Sequence, residues 1–203
     1  MFERDGHDSC YERLKPYIEK ALTSHGATAE VGLRRAGTTK LILDKQIETG
    51  LRKPHICIDP YGQIPYSVNE RIHDTDYSNQ MRNETLAELY SFCRDNQLDL
   101  HFFNMEDSEF YKRFPDYVPV YEREKIEIDS YCFVHIDGQH SYEAVLPAAQ
   151  YFLPRMSKNS YIAFDNTDTY DHQRVEREVS DFERFTLVDL FENCGRAVYK
   201  RAQ

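Results

Sequence analysis

Two short segments of this chain each set an acidic residue at the end of an apolar run. Tyr131-Cys-Phe-Val-His-Ile leads into Asp137-Gly-Gln-His140-Ser-Tyr142, and Tyr161-Ile-Ala-Phe leads into Asp165-Asn166. Such runs read as buried strands of a parallel sheet, whose ligands bind beyond the carboxyl ends of the strands. Asp137, Asp165 and Asn166 are therefore predicted to converge as three oxygen donors. That set suits a hard divalent cation such as Mg2+, with water or substrate oxygens in its other positions. The plainer reading has Asp137 opening a turn with Gly138 and Asp165-Asn166 starting a polar loop. His140 has two readings as well. An imidazole of ordinary pKa near ~6.5 can accept a proton at neutral pH, or the residue can cap a helix that starts near Tyr142. His135, inside a run, reads as a core histidine.

A third junction, Ala29-Glu30-Val-Gly32-Leu-Arg-Arg-Ala36-Gly37-Thr38-Thr39, joins another apolar run to a helix. Small residues at 32, 36 and 37 let the backbone turn tightly and let a ligand approach, and Thr38 or Thr39 can cap the helix. The pattern is neither the GxGxxG fingerprint nor a P-loop. Asp59 ends the next run, where a carboxylate can accept from both hydroxyls of a ribose.

The elements that must position these residues alternate. Tyr11, Leu14, Tyr17, Ile18, Ala21 and Leu22 recur at helical spacing, so a helix opens the chain. The pattern then predicts strands at 27–31, 55–58, 98–103, 131–136 and 161–164, with helices at 38–49, 83–96, 108–114, 142–152 and 172–182. A tail of 185–191 and 196–200 flanks Glu192-Asn193-Cys194-Gly195 as an antiparallel hairpin. This is an α/β fold: one doubly wound, mostly parallel sheet with an antiparallel edge, forming a single domain over residues 1–203. Residues 60–82 are too long for an ordinary connection and are expected to form a lid or substrate loop.

Composition narrows the partners. With 25 basic and 35 acidic residues, the formal charge of −10 gives no general attraction to nucleic acid or anionic membranes. No run approaches a membrane span, and the first residues do not read as a signal peptide. The five cysteines form no CxxC pair, and Cys57 and Cys132 sit in predicted strands as reduced, buried thiols. A reducing, cytoplasmic setting is expected. Asp74, Asp76 and Asp129 read as solvated loop carboxylates, and Asp168, Asp171 and His172 read first as ordinary polar residues, with support of the nearby Asp165-Asn166 pair or contact with a substrate as the lesser alternative. Among 15 tyrosines, Tyr61, Tyr66, Tyr77, Tyr111, Tyr117 and Tyr121 fall near the expected lid, where rings could stack on a sugar or phenol or line an interface with a second subunit.

The order of these motifs resembles class I S-adenosylmethionine-dependent methyltransferases, over roughly residues 25–200. Glu30-Val-Gly-x-x-x-Ala-Gly-Thr-Thr is similar to motif I of small O-methyltransferases, with Ala36 where the family normally has glycine. Asp59-Pro-Tyr61-Gly resembles the second-strand acidic motif, and Met105-Glu106-Asp107-Ser108 stands where relatives often carry Gly-Asp-Ser. Ile136-Asp137-Gly-Gln-His140-Ser-Tyr142 looks like the Asp-Gly-Asp-His-Ser-Tyr segment of sugar and antibiotic methyltransferases, with Gln139 replacing an acid. The resemblance implies a seven-stranded sheet and a cofactor, S-adenosylmethionine. Its contacts would be Glu30, Gly32, Ala36, Gly37, Thr38, Asp59, Tyr61, Asp107, Ser108 and Asp137. Asp137, Asp165 and Asn166 resemble the metal ligands of catechol and caffeoyl-coenzyme A O-methyltransferases. His140 stands where the catechol enzymes carry a lysine base.

The expected reaction is metal-assisted O-methylation of a small hydroxylated acceptor. Two rival readings are a cephalosporin-hydroxylase-like relative and a binding or assembly module with a degenerate pocket. A nucleic-acid methyltransferase is disfavoured by the charge and by the lack of an Asn/Asp-Pro-Pro-Tyr motif.

Overall fold

The computed structural model describes residues 9–68, 71–73, 77–121 and 124–202. Asp74 and Asp76, and the side chain of Tyr66, lie outside that description. The main elements are α1 (Ser9–Glu12), α2 (Lys15–Leu22), β1 (Ala27–Val31), α3 (Gly37–Thr49), β2 (His55–Ile58), α4 (Asn79–Asn96) and β3 (Leu100–Phe103). They continue with α5 (Asp107–Arg113), β4 (Tyr131–Ile136), α6 (Tyr142–Phe152), β5 (Met156–Phe164), α7 (His172–Glu178), β6 (Phe185–Phe191) and β7 (Arg196–Arg201).

The seven strands form one sheet in the order β3-β2-β1-β4-β5-β7-β6. Strands β1 to β5 run parallel, and β7 pairs antiparallel with both β5 and β6. The order reverses between β1 and β4, which opens a crevice at their carboxyl ends.

Every residue of β1, β2 and β4 is buried, as strands covered on both faces must be. Their alternation sorts the core into two layers. Ala29, Val31, Ile58, Val134 and Ile136 face Val145, Ala149 and Phe152 of α6. Phe133, Ala163 and Val198 face Leu14 and Ile18 near the amino terminus and Leu41 and Ile42 of α3.

The differences from the sequence reading are local. The opening helix is two, with Pro16 in the first turn of α2, where the missing N–H costs no helical bond. The 60–82 segment holds a hairpin of Tyr66–Val68 and Arg71–His73, and α4 takes its last residues from Asn79, capped by Ser78. The Pro/Tyr-rich stretch becomes a second hairpin, Val118–Tyr121 with Lys125–Ile128. Strand β5 starts at Met156, and α7 ends at Glu178 with a 3-10 turn over Ser180–Arg184.

Cys57, Cys93 and Cys132 are free and buried, as expected of the two that were placed in strands. Cys10 and Cys194 form a disulfide, a pairing the sequence reading does not draw. Their separation of 184 residues hid the pair, since no local spacing announces it. Among the described residues, no helix is long and apolar enough to cross a membrane.

His55 gives the fold a pH dependence. Its Nδ1 lies 2.8 Å from Thr28 Oγ1 and its Nε2 2.8 Å from Thr39 Oγ1, fully buried. Burial lowers its pKa to about 4, so the unfolded chain takes up a proton near ~pH 6.5 that the folded chain refuses. Stability should therefore fall as pH drops from about 6.5 to 4, by roughly 3 kcal/mol in all from this group. Urea unfolding should show the stability gap between wild type and His55→Asn narrowing over that range. A gap independent of pH would contradict the assignment.

Candidate active site

Strand register builds the site. Val31 pairs with Ile58 on one side and Ile136 on the other, and Ile136 pairs with Phe164. The next residue of each strand, Gly32, Asp59, Asp137 and Asp165, therefore lies along one rim. The backbone repeats the order, since Gly32 N–H donates to Ile58 O, Asp137 N–H to Val31 O and Asp165 N–H to Ile136 O. Behind this row, Glu30 sits beside His135 across the β1–β4 pair. A cavity of about 1000 Å3 opens over the rim.

At one end of the cavity Asp59 organises the turn after β1. Its Oδ2 accepts from Leu33 N–H at 2.7 Å and Arg34 N–H at 3.0 Å, and its Oδ1 from Tyr61 N–H at 2.7 Å. Burial pushes its pKa up, and the three amides oppose that push. Tyr61 is buried, donates its hydroxyl to Arg34 O and lies 6.0 Å from the Phe102 ring. Gly32 has φ +84°, and a Cβ there would stand 2.1 Å from the carbonyl oxygen of Asp137. Only glycine lets the two strand ends approach so closely. Asp107 and Ser108 reach the cavity from the start of α5, and burial raises the Asp107 pKa.

The other end holds a dense polar cluster. Arg196 donates from Nη2 to Asp165 Oδ2 at 2.6 Å and from Nε to Asp165 Oδ1 at 3.1 Å, with the guanidinium 2% exposed. Tyr11 donates to Asp137 Oδ2 at 3.0 Å. Asp137 is also hydrogen-bonded to Asp165. Burial, reinforced by the Asp165 charge, holds the Asp137 carboxyl well above the usual range, so it carries the shared proton. Burial would raise Asp165 as well, but His135 and Arg196 outweigh it and keep this carboxylate ionised. His140 Nε2 stands 3.8 Å from Asp137 Oδ1. Burial lowers the His140 pKa, leaving the ring neutral at pH 7. Ser141, not His140, caps α6 by accepting from Ala144 N–H.

The family profile of a methyltransferase domain matches residues 29–167, from β1 to just past Asn166. The chain belongs to the methyltransferase domain family. Among curated proteins, none matches the sequence. Similar solved structures include the O-methyltransferase NovP, at 19% identity and TM-score 0.60, covering 96% of this chain and 80% of that one. The calicheamicin methyltransferase CalS11 has 15% identity and TM-score 0.67, covering 97% and 80%. An O-methyltransferase from Bacillus cereus, solved with SAH, has 9% identity and TM-score 0.55, covering 99% and 83%. At these identities the likeness is one of fold.

In this methyltransferase domain Glu30, Gly32, Gly37, Asp59, Tyr61, Asp107, Ser108, Asp137, His140, Asp165 and Asn166 all line the one cavity. Ala36 and Thr38 do not line it. Ala36 turns the backbone at φ 62° with its methyl fully buried, and Thr38 is buried in α3. Neither threonine caps α3: its first residue is preceded by Ala36, and Thr39 instead donates to Glu30 from its amide at 2.9 Å and its hydroxyl at 2.6 Å. Exposed Asp171 caps α7, and buried His172 bonds Tyr170 and Tyr199, so neither lines the cavity. Asp168 packs against Gly195. Of the lid tyrosines, Tyr61 and Tyr77 line the cavity, while Tyr111 stacks on Tyr151 away from it.

The cavity fits a nucleoside-bearing cofactor: a turn too tight for a side chain, an acidic residue at the second strand and helix-start polar groups at the third. The expected metal set does not fit. Asp137 and Asp165 meet as predicted, but Arg196 engages both Asp165 oxygens, and Asp137 donates its proton to the same carboxylate. A divalent ion about 4 Å from the guanidinium would meet a repulsion of roughly 8 kcal/mol at an effective dielectric of ~20. Glu30, His135 and Asp137 also bring donor atoms within 4.8 Å of one another. There Glu30 is already engaged, with Oε2 on Thr39 and Oε1 3.3 Å from His135 Nδ1. Tyr11 and Arg196 were not visible as site residues. Tyr11 reads as part of an amphipathic stripe, and Arg196 reaches Asp165 only through the antiparallel register that pairs Ala197 with Phe164.

Proposed function

We propose that this chain is an S-adenosylmethionine-dependent O-methyltransferase of small hydroxylated acceptors. The observation that carries the reading is the single cavity in which Asp59 and the Gly32 turn stand at one end and neutral His140 beside Asp137 at the other. S-adenosylmethionine supplies an electrophilic methyl group on a sulfonium. Asp59 and the amides it organises hold the nucleoside end, and the Asp137 side of the rim receives the acceptor. His140 accepts the hydroxyl proton as the oxygen becomes nucleophilic. The rim fixes their relative placement, and positioning is the main requirement of such a displacement. The cavity volume, about 1000 Å3 for both molecules, and the charge of −10 favour a sugar, phenol or natural product over nucleic acid.

The test is calorimetry with S-adenosylhomocysteine. Asp59→Ala removes a charge-assisted acceptor worth ~1.5–3 kcal/mol, so affinity should weaken by about one to two decades. Unchanged affinity would place the nucleoside elsewhere and remove the basis of this reading. A screen of sugar and phenol acceptors with the wild-type protein then tests O-methylation itself.

A further inference from the structure

Arg196 is a buried cation held just behind the cavity rim, against Asp165, which lines it. Its guanidinium meets both oxygens of Asp165, its Nη1 donates to Cys10 O at 2.9 Å, and it lies 4.6 Å from the centre of the Tyr11 ring. These partners come from the end of β5 and from α1. The disulfide from Cys10 to Cys194 ties α1 to the turn two residues before Arg196. A planar donor fork suits a carboxylate held at both oxygens, and a ring face suits the cation. The positive charge is therefore fixed at the carboxylates where the sequence reading expects a divalent ion.

We propose that Arg196 is a built-in replacement for a divalent cation, and that this methyltransferase domain operates without one. Arg196 is a positioning residue. Being almost wholly buried, it acts on the cavity through Asp165, which receives the Asp137 proton, while Asp137 faces His140. The inference rests on the methyltransferase reading above, but its test does not depend on turnover.

The test is titration with Mn2+, followed by electron paramagnetic resonance of the free ion, with and without S-adenosylhomocysteine. Wild-type protein should show no site tighter than about 1 mM, beyond the weak background that exposed carboxylates give. Arg196→Met keeps the length of the stem and removes the charge. It should gain a site at least ~10-fold tighter than that background, which Asp165→Asn in the same protein abolishes. A wild-type site below about 100 µM that Asp165→Asn removes would overturn the proposal, as would a folded Arg196→Met protein that gains none.

If Arg196→Met does not fold, the wild-type titration still decides, and Arg196→Lys adds a second reading. Lysine keeps the charge but loses the fork. Arg196→Lys should bind no Mn2+ and should lower kcat at least ~10-fold, with S-adenosylhomocysteine affinity within about twofold, as expected when geometry alone is disturbed. Equal losses of affinity, thermal stability and kcat would instead mark a merely structural arginine. Failure of wild-type protein to bind S-adenosylhomocysteine would count against the methyltransferase reading and leave the Mn2+ result to be read separately.

Discussion

Replacing His140 with alanine should lower turnover by ~10²–10⁴-fold, the range for loss of a general base, while S-adenosylhomocysteine binding stays nearly unchanged. The imidazole is partly buried, lies 3.8 Å from Asp137 and does not cap α6. Burial lowers its pKa, and a base works in its unprotonated form. Wild-type kcat should therefore hold steady down through pH 7 and fall only below the ordinary imidazole range, whereas His140→Ala should lack that acid limb. The loss should be smaller for a phenol than for a sugar hydroxyl, because a phenol gives up its proton more readily. Rates measured across pH on both acceptor types check this. Turnover in His140→Ala within about threefold of wild type would remove His140 from the chemistry.

Gly32→Ala should cost more than about 3 kcal/mol of stability and abolish measurable cofactor binding, although it adds a single methyl group. That methyl would stand 2.1 Å from the carbonyl oxygen and 2.5 Å from the carbonyl carbon of Asp137. Both obstacles are backbone, so no rotamer change relieves them. The φ of +84° adds strain for any L-residue. Relief requires β1 and β4 to part at the rim that carries Asp59 and Asp137. Thermal melts and calorimetry on the variant measure both effects. A variant with wild-type stability and affinity would show that the close approach of the two turns is dispensable.

Strand ends and acidic residues were legible because each rests on a local pattern. Asp59, Asp137 and Asp165 each close an apolar run, and parallel pairing aligns them whatever the intervening helices do. Gly32 was legible for the same reason. What local patterns could not supply was pairing across distance. Asp165 looked like a metal ligand because its partner Arg196 lies 31 residues on, in a strand whose register was unknown. Thr38 and Thr39 both looked like caps, yet the buried carboxylate of Glu30 takes Thr39 inward. Tyr11 looked like core because helical spacing does not say which residue of an apolar stripe stands at the stripe's edge. The hairpin at 118–128 was hidden by Pro119, which sits in a two-stranded ribbon with no further neighbour, as proline can.

The link between Cys10 and Cys194 closes the backbone between them into a covalent ring. Closing a loop of 184 residues removes chain entropy worth about 5 kcal/mol at room temperature on the loop-closure relation. Nearly all of that acts on the unfolded chain, in which Cys10 and Cys194 can never separate. A cut in the 66–73 or the 118–128 hairpin leaves a single covalent molecule, so α1 with Tyr11 stays joined to the β6–β7 turn even when the backbone between them is broken.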